Sequence, residues 1–151
     1  MQLRIDFDFN AAHRLPLYDG PCRHTHGHNY RLRVVVEGRV DPETGLTTDF
    51  LIIKHLVREH VLETIDHNDL NQVIDNPTAE NVVAWIWQRL QPALPGLAEL
   101  QLFETPDCGV IYRGESSTRR ASRGSRRPRS AAKIVGREEG SEPGGGGAPR
   151  Q

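Results

Sequence analysis

Three histidines fall within five residues of this sequence, in the run Cys22-Arg23-His24-Thr25-His26-Gly27-His28-Asn29-Tyr30. His26 and His28 are two residues apart and lead into a predicted strand, where residues at this spacing point to the same side. His13 closes the preceding predicted strand, so pairing of the two strands would bring three imidazoles together. Three neutral imidazoles that leave a fourth position open are a typical ligand set for catalytic Zn²⁺. The sequence therefore predicts a zinc site.

Two residues near this histidine pair leave alternatives open. His24 has the same parity as His26 and His28, so spacing does not exclude it as a ligand. Cys22 fits three roles, as a ligand, an inert core residue or a reactive thiolate, because a nearby cation favours the thiolate. A structural zinc site is disfavoured, since such sites recruit several thiolates and the chain has only 2 cysteines.

Two further polar pairs stand at the ends of predicted elements. Asp66 and His67 close the first predicted helix, where a carboxylate can orient an imidazole for proton transfer. Glu104 and Thr105 end an apolar strand, where a carboxylate can accept two N–H groups from a planar heterocycle. Taken alone, a polar helix end and an exposed strand end are the simpler interpretations of these pairs.

The elements that must position these residues follow from hydrophobic periodicity. Apolar residues predict four strands, at 2–10, 31–37, 100–104 and 110–112. Two helices are predicted between them, with Asp49 and Thr78 as their N-caps. The order ββααββ predicts an α+β domain, a four-stranded antiparallel sheet with two antiparallel helices on one face. Its sheet edges are not obviously protected, which predicts edge-to-edge assembly.

The charge balance divides the chain into two predicted regions, a domain at 1–114 and a disordered tail at 115–151. The first region holds 10 basic and 16 acidic residues, and the second holds 9 basic and 4 acidic residues in a basic and then Gly-rich sequence. The tail could contact RNA, but a solvated extension is favoured because no aromatic residue interleaves its arginines. No apolar run approaches the ~18 residues of a membrane helix, and two cysteines without a disulfide framework favour a reducing cytoplasm.

Five motifs occur in order along residues 2–114. They are Ala11-Ala12-His13-Arg14-Leu15, Cys22-x3-His26-Gly27-His28-Asn29-Tyr30, Ile65-Asp66-His67-x2-Leu70-Asn71, Pro77-Thr78-x-Glu80-Asn81 and Glu104-Thr105. Together they resemble the 6-pyruvoyl-tetrahydropterin synthase superfamily. The resemblance implies the tunnelling fold, in which several copies assemble into a barrel-shaped homo-oligomer, typically a homohexamer. The tail after Gly114 has no counterpart in this resemblance.

The resemblance also implies a role for each motif residue. The implied zinc ligands are His13, His26 and His28, with no metal role for His24. The implied catalytic residues are Cys22, Asp66 and His67. The implied substrate contacts are Glu104, which anchors the pterin, with Thr105 and Thr78.

The implied substrate is 7,8-dihydroneopterin triphosphate. The spacing Cys22-x3-His26 and the run Thr48-Asp49-Phe50 resemble the branch that makes 6-carboxy-5,6,7,8-tetrahydropterin, acetaldehyde and triphosphate in queuosine (7-deazaguanine) biosynthesis. A third branch carries Glu in place of the cysteine, and Cys22 argues against it. The alternatives are the 6-pyruvoyl branch, which releases triphosphate alone, and a non-catalytic zinc- and RNA-binding module.

Overall fold

A computed structural model describes residues 1–114, and the predicted tail at 115–151 lies outside the described residues. The strands and helices are β1 (Gln2–His13), β2 (His26–Glu37), α1 (Phe50–Val57), α2 (Glu63–Ile65), β3 (Asn68–Asp69), α3 (Ala79–Leu90), β4 (Leu97–Phe103) and β5 (Gly109–Tyr112). A π-helical stretch, Arg58–Leu62, joins α1 to α2 without a break. Short 3-10 turns occupy Pro21–Arg23 and Leu70–Gln72.

The first two strands form a long antiparallel ladder that runs from the pair Gln2 and Glu37 to the pair His13 and His26. Both strands extend further toward the histidines than the alternation of apolar residues predicts. Gly27 permits this extension, because a Cβ there would lie 3.2 Å from the carbonyl oxygen of Ala11. The ladder therefore carries its pairing up to the predicted metal ligands.

The sheet has five strands rather than the predicted four, and it is mixed rather than purely antiparallel. Its order is β3-β1-β2-β4-β5. The extra strand, β3, has only two residues and pairs in parallel with Ala11 and Ala12 of β1. Asn68 and Asp69 have no apolar alternation, so β3 arises from its contact with β1 and not from local propensity. The predicted order ββααββ is therefore wrong, because this short strand lies between the helices.

Both predicted helix N-caps are confirmed. The Asp49 side chain accepts a hydrogen bond from the Leu51 amide, and the Thr78 side chain accepts one from the Asn81 amide. The buried residues of the helices join one face of the sheet in a single apolar core. No helix within residues 1–114 is both long and apolar enough to cross a membrane.

The core occupies only one face of the sheet, because alternate residues of a strand point to opposite sides. In β1 the odd-numbered Ile5, Phe9 and Ala11 are buried, and this buried stripe ends at His13. The other face is charged: Arg33 makes two contacts with Asp6, at 2.7 and 3.0 Å. The predicted metal ligands therefore lie at the end of the hydrophobic core.

Candidate active site

The register of β1 against β2 places three imidazoles together. His13 lies opposite His26, and Ala11 lies opposite His28. The three side chains project from the core face of the sheet, and their ligand-capable nitrogen atoms all lie within 4.8 Å of one another. His13 is 1% exposed, whereas His26 and His28 are half-buried. The cluster is therefore buried at His13 and partly open to solvent at His26 and His28.

The hydrogen bonds of two imidazoles show that the cluster fits a cation. His13 Nδ1 lies 2.8 Å from the Pro77 carbonyl oxygen, and His26 Nδ1 lies 2.8 Å from the His24 carbonyl oxygen. A carbonyl only accepts, so each Nδ1 carries the proton and each Nε2 presents a lone pair. These two Nε2 atoms are 3.0 Å apart. Two lone pairs at this distance repel each other, and a metal ion between them removes the repulsion.

The third imidazole, His28, is held in its neutral form. Burial is the largest cause and lowers its pKa below the usual value for histidine. The charge of Glu104 opposes this shift, while the neighbouring His13 and His26 add a smaller lowering. A neutral imidazole is the form that binds metal, so His28 is suited to complete the set.

The structure separates His24 from this cluster. β2 begins at His26, so His24 precedes the strand and the parity of strand residues does not apply to it. Its side chain is exposed, and its contribution is the backbone carbonyl that accepts from His26. The structure thus places His24 outside the imidazole cluster, and its lack of a metal role stays a prediction.

Glu104 lies beside the cluster and is contacted by a buried tyrosine. Glu104 Oε1 is 4.0 Å from His13 Nε2. The Tyr30 hydroxyl donates to Glu104 Oε1 at 3.5 Å and lies 3.4 Å from His13 Nδ1. Burial, followed by the charge of Glu104, raises the pKa of Tyr30, so the hydroxyl stays a donor. Sequence reasoning assigned no role to Tyr30, although its place two residues after His28 on the same face of β2 was a usable signal.

The two threonines predicted to contact substrate, Thr105 and Thr78, each form a hydrogen bond within the protein. The Thr105 hydroxyl donates to Asp107 Oδ1 at 2.7 Å within the β4–β5 turn. This bond is the largest cause that lowers the pKa of Asp107. Thr78 caps α3 through Asn81, and the preceding Pro77 supplies the carbonyl that fixes His13.

Asp66 and His67 form the predicted carboxylate–imidazole pair. Asp66 Oδ1 lies 2.9 Å from His67 Nδ1. Two backbone bonds hold the pair against β1: the Asn10 amide donates to Asp66 Oδ1 at 2.9 Å, and the His67 amide donates to the Asn10 carbonyl at 2.6 Å. His67 has a φ of 59°, a left-handed conformation that is uncommon for a residue with a side chain.

The predicted catalytic residues do not all meet within one chain. Cys22 is half-buried in the Pro21–Arg23 turn and is absent from the cluster of ligand-capable atoms. Within residues 1–114, no hydrogen bond or ion pair joins Cys22, Asp66 or His67 to the three imidazoles. The structure thus brings together the imidazoles and Glu104, and separately Asp66 and His67.

Two adjoining clefts border the site. The larger, ≈ 770 Å³, is lined by Asp8, Asn10, Gly27, His28, Asn29, Arg31, Arg33, Phe103, Glu104, Thr105 and Pro106. The smaller, ≈ 430 Å³, is lined by Asn10, Ala11, Ala12, Gly27, His28, Asn29, His67, Asn68 and Asp69. The larger cleft has the volume of a small-molecule site, and both clefts reach His28.

Comparison with known proteins agrees with this fold and site. Residues 2–115 match the family of 6-pyruvoyl tetrahydropterin synthase. The chain is 38% identical over 114 residues to the 6-carboxy-5,6,7,8-tetrahydropterin synthase of Synechocystis sp., covering 71% of this chain and 88% of that protein. It is 39% identical over 115 residues to the dihydroneopterin monophosphate aldolase of Pyrococcus furiosus, covering 73% of this chain and 96% of that protein.

A solved structure gives the same result. The 6-pyruvoyl tetrahydropterin synthase of Caenorhabditis elegans superposes with a TM-score of 0.70 at 30% identity, covering 76% of this chain and 96% of that chain. Together with these matches, the α+β fold and the histidine cluster at the end of the sheet place the chain in a family of pterin-processing enzymes. The chain belongs to the 6-pyruvoyl tetrahydropterin synthase family, as the five sequence motifs predicted.

Proposed function

We propose that this protein is a zinc-dependent lyase of queuosine (7-deazaguanine) biosynthesis. It would convert 7,8-dihydroneopterin triphosphate and water to 6-carboxy-5,6,7,8-tetrahydropterin, acetaldehyde and triphosphate. The observation that carries the proposal is the three-imidazole cluster with Glu104 at 4.0 Å from His13. The name and 38% identity of the Synechocystis relative support the 6-carboxy product.

The metal we propose is Zn²⁺, held by His13, His26 and His28. A set of neutral imidazoles suits zinc, whereas Mg²⁺ and Ca²⁺ prefer oxygen ligands. When bound, zinc supplies a Lewis acid that acidifies the side-chain hydroxyls of the substrate. The Pro77 and His24 carbonyls orient two of the ligands, which is the usual role of groups behind a metal-bound imidazole.

Glu104 is the proposed anchor of the pterin ring. Its carboxylate can accept two N–H groups of the heterocycle, and the Tyr30 hydroxyl holds it in place. This contact fixes the ring beside the imidazoles and so contributes positioning. Thr105 and Thr78 are proposed as further substrate contacts, the first because it lines the larger cleft.

Proton transfer is assigned to Cys22 and to the pair Asp66–His67. Asp66 binds His67 at Nδ1, which leaves Nε2 of the imidazole to exchange a proton with substrate. Cys22, as thiolate, would remove a proton from the substrate side chain. Both cysteines are free, in keeping with the predicted cytoplasmic location, which stays a prediction.

We propose that a homohexamer brings these groups together. Within residues 1–114, β5 has a partner on one side only, and β1 is paired with β3 only at Ala11 and Ala12. Such open edges favour pairing with another copy. Assembly would also explain why, within residues 1–114, no hydrogen bond or ion pair joins Cys22 or His67 to the imidazoles.

The experiment that tests the proposal is incubation of the zinc-loaded protein with 7,8-dihydroneopterin triphosphate, followed by mass analysis of the products. A 6-carboxypterin with acetaldehyde supports the proposal. A 6-pyruvoyl product would contradict it and favour the alternative reaction. Cys22→Ala is the control for background conversion.

Two further outcomes point to other functions. The Pyrococcus relative is named an aldolase, so cleavage of dihydroneopterin monophosphate in a parallel assay would favour that activity. Zinc binding without turnover of either substrate would favour the non-catalytic zinc- and RNA-binding module. That alternative predicts salt-sensitive RNA binding by residues 1–151 that residues 1–114 lack.

A further inference from the structure

We infer that Asn71 is a positioning residue of the metal centre. Its carboxamide fixes the end of β1, from which His13 reaches the other two imidazoles. The inference rests on the proposed function in one respect, that the histidine cluster binds a metal. It adds a residue that none of the predicted roles includes.

The side chain of Asn71 binds both backbone polar groups of Arg14. Asn71 Oδ1 accepts from the Arg14 amide at 2.8 Å, and Asn71 Nδ2 donates to the Arg14 carbonyl at 3.0 Å. Arg14 directly follows His13, where the ladder between β1 and β2 ends. The carboxamide therefore continues the pairing of β1 by one residue beyond the metal ligand.

These two bonds are the last in a series of contacts along the same edge of β1, from Asn10 to Arg14. Asn10 pairs with Asp66 and His67, Ala11 and Ala12 pair with β3, and Arg14 pairs with Asn71. The backbone is thus held on both sides of His13 by one segment, residues 66–71. That segment also carries the Asp66–His67 pair, so one contact line orients both groups.

Only a carboxamide can make both bonds from this position. A carboxylate offers acceptors alone and would leave the Arg14 carbonyl without its donor, while an alanine offers neither group. His13 has little freedom to adjust, since its Nδ1 donates to the Pro77 carbonyl at 2.8 Å and its side chain is 1% exposed. A displaced strand end therefore changes the ligand geometry directly.

The test compares Asn71→Ala and Asn71→Asp with a matched control, Asp41→Ala, in the full chain. Asp41 also binds two backbone groups with one side chain, the amides of Glu43 at 2.8 Å and Thr44 at 3.0 Å. Asp41 comes after Glu37, the end of β2 that is far from the metal ligand His26. Zinc affinity is measured by competition with a chromophoric chelator, and ligand geometry by the absorption spectrum of the Co²⁺-substituted protein.

We expect Asn71→Ala to lose about tenfold in zinc affinity and to change the Co²⁺ spectrum. Asp41→Ala should lower the free energy of unfolding and leave both metal readouts at wild-type values. Asn71→Asp keeps the acceptor for the Arg14 amide but turns a carboxylate oxygen toward the Arg14 carbonyl. It should therefore also lose zinc affinity, and it tests the inference if the alanine variant does not fold.

Two results would overturn the inference. One is wild-type zinc affinity and an unchanged Co²⁺ spectrum in a folded Asn71 variant. The other is an equal loss of affinity in Asp41→Ala, which would reduce the effect to general stability. Failure of the wild-type protein to bind zinc would instead remove the proposed function together with this inference, so the two failures are distinguishable.

Discussion

The contact between Tyr30 and Glu104 gives a prediction that can be tested by removing a single oxygen atom. Tyr30→Phe removes the hydroxyl that donates to Glu104 at 3.5 Å and keeps the aromatic ring. The ring should stay in place because it stacks on Phe9, with centroids 4.9 Å apart and planes 8° apart. Without the hydroxyl, the Glu104 carboxylate samples more orientations, and the pterin must restrict them on binding.

The size of the effect follows from the geometry. A hydrogen bond to a charged acceptor contributes about 1.5–3 kcal/mol net. The Tyr30–Glu104 distance of 3.5 Å is longer than usual for such a bond, so we expect a loss below this range, of about 1 kcal/mol. This loss corresponds to about fivefold in pterin affinity. Burial of a phenyl ring in place of the phenol should change the free energy of unfolding by less than about 1 kcal/mol.

The assay is a fluorescence titration of the zinc-loaded protein with a non-reactive pterin. Tyr112→Phe is the matched control, since its ring packs on Trp87 and its hydroxyl has no hydrogen bond within residues 1–114. Zinc content is measured first in both variants, because Tyr30 also lies 3.4 Å from His13 Nδ1. Wild-type pterin affinity in a folded, zinc-loaded Tyr30→Phe protein would refute the reasoning.

Four other substitutions give separate expectations. His26→Ala removes a proposed ligand, so its zinc affinity should fall by more than the about 10–100-fold typical of losing a group behind a metal-bound imidazole. His24→Ala should keep its zinc affinity, because only the backbone carbonyl of His24 contacts His26. Competition with a chelator measures both affinities, and metal loss in His24→Ala would show that His24 is a ligand. Cys22→Ala should retain zinc and lose turnover, and full activity would remove its proposed role. The Arg33 guanidinium lowers the pKa of Asp6 below the usual value for aspartate, so the pair stabilises the fold at pH above that usual value, and the contribution disappears as pH falls through the lowered pKa. Asp6→Asn should therefore cost about 0.5 kcal/mol at neutral pH and nothing in strong acid, measured by urea unfolding, since the pair is partly exposed; an equal cost at both pH values would contradict the assignment.

The parts of the site that depend on local periodicity could be predicted from the sequence. Alternation along β1 and β2 indicates which residues share a face, and the last buried position of β1 is His13. The same rule groups His26 with His28 once the strand includes them. It fails for His24, because the sequence does not mark the residue at which β2 begins.

The parts that depend on distant contacts could not be predicted. β3 has a polar two-residue sequence and exists only through its pairing with β1. Asp66 and His67 are adjacent, and adjacent side chains often point apart; their contact needs the left-handed backbone of His67, which bonds to Asn10 hold in place. The role of Asn71 likewise depends on an end of β1 that lies 57 positions away in the sequence.

Removal of the metal tests whether the cluster serves catalysis or holds the fold together. Apart from the hydroxyl of Tyr30, His13 is the only polar or charged side chain fully buried within residues 1–114, and it extends an apolar core formed by the sheet and the helices. In small zinc domains that lack such a core, the metal supplies the folding free energy. Here the core is present without it, so the chelated protein should keep its far-ultraviolet circular dichroism and unfold cooperatively.

Zinc should then raise the unfolding temperature in proportion to the logarithm of its free concentration, because it binds the folded chain. Zinc bound by three imidazoles would stabilise the folded protein and still leave one coordination position for substrate. Loss of the circular dichroism signal on chelation would show the reverse, that the lone pairs of His13 and His26, 3.0 Å apart, destabilise the fold unless a metal is bound. In that case the metal would also supply folding free energy, and loss of activity on chelation would no longer test its proposed catalytic role by itself.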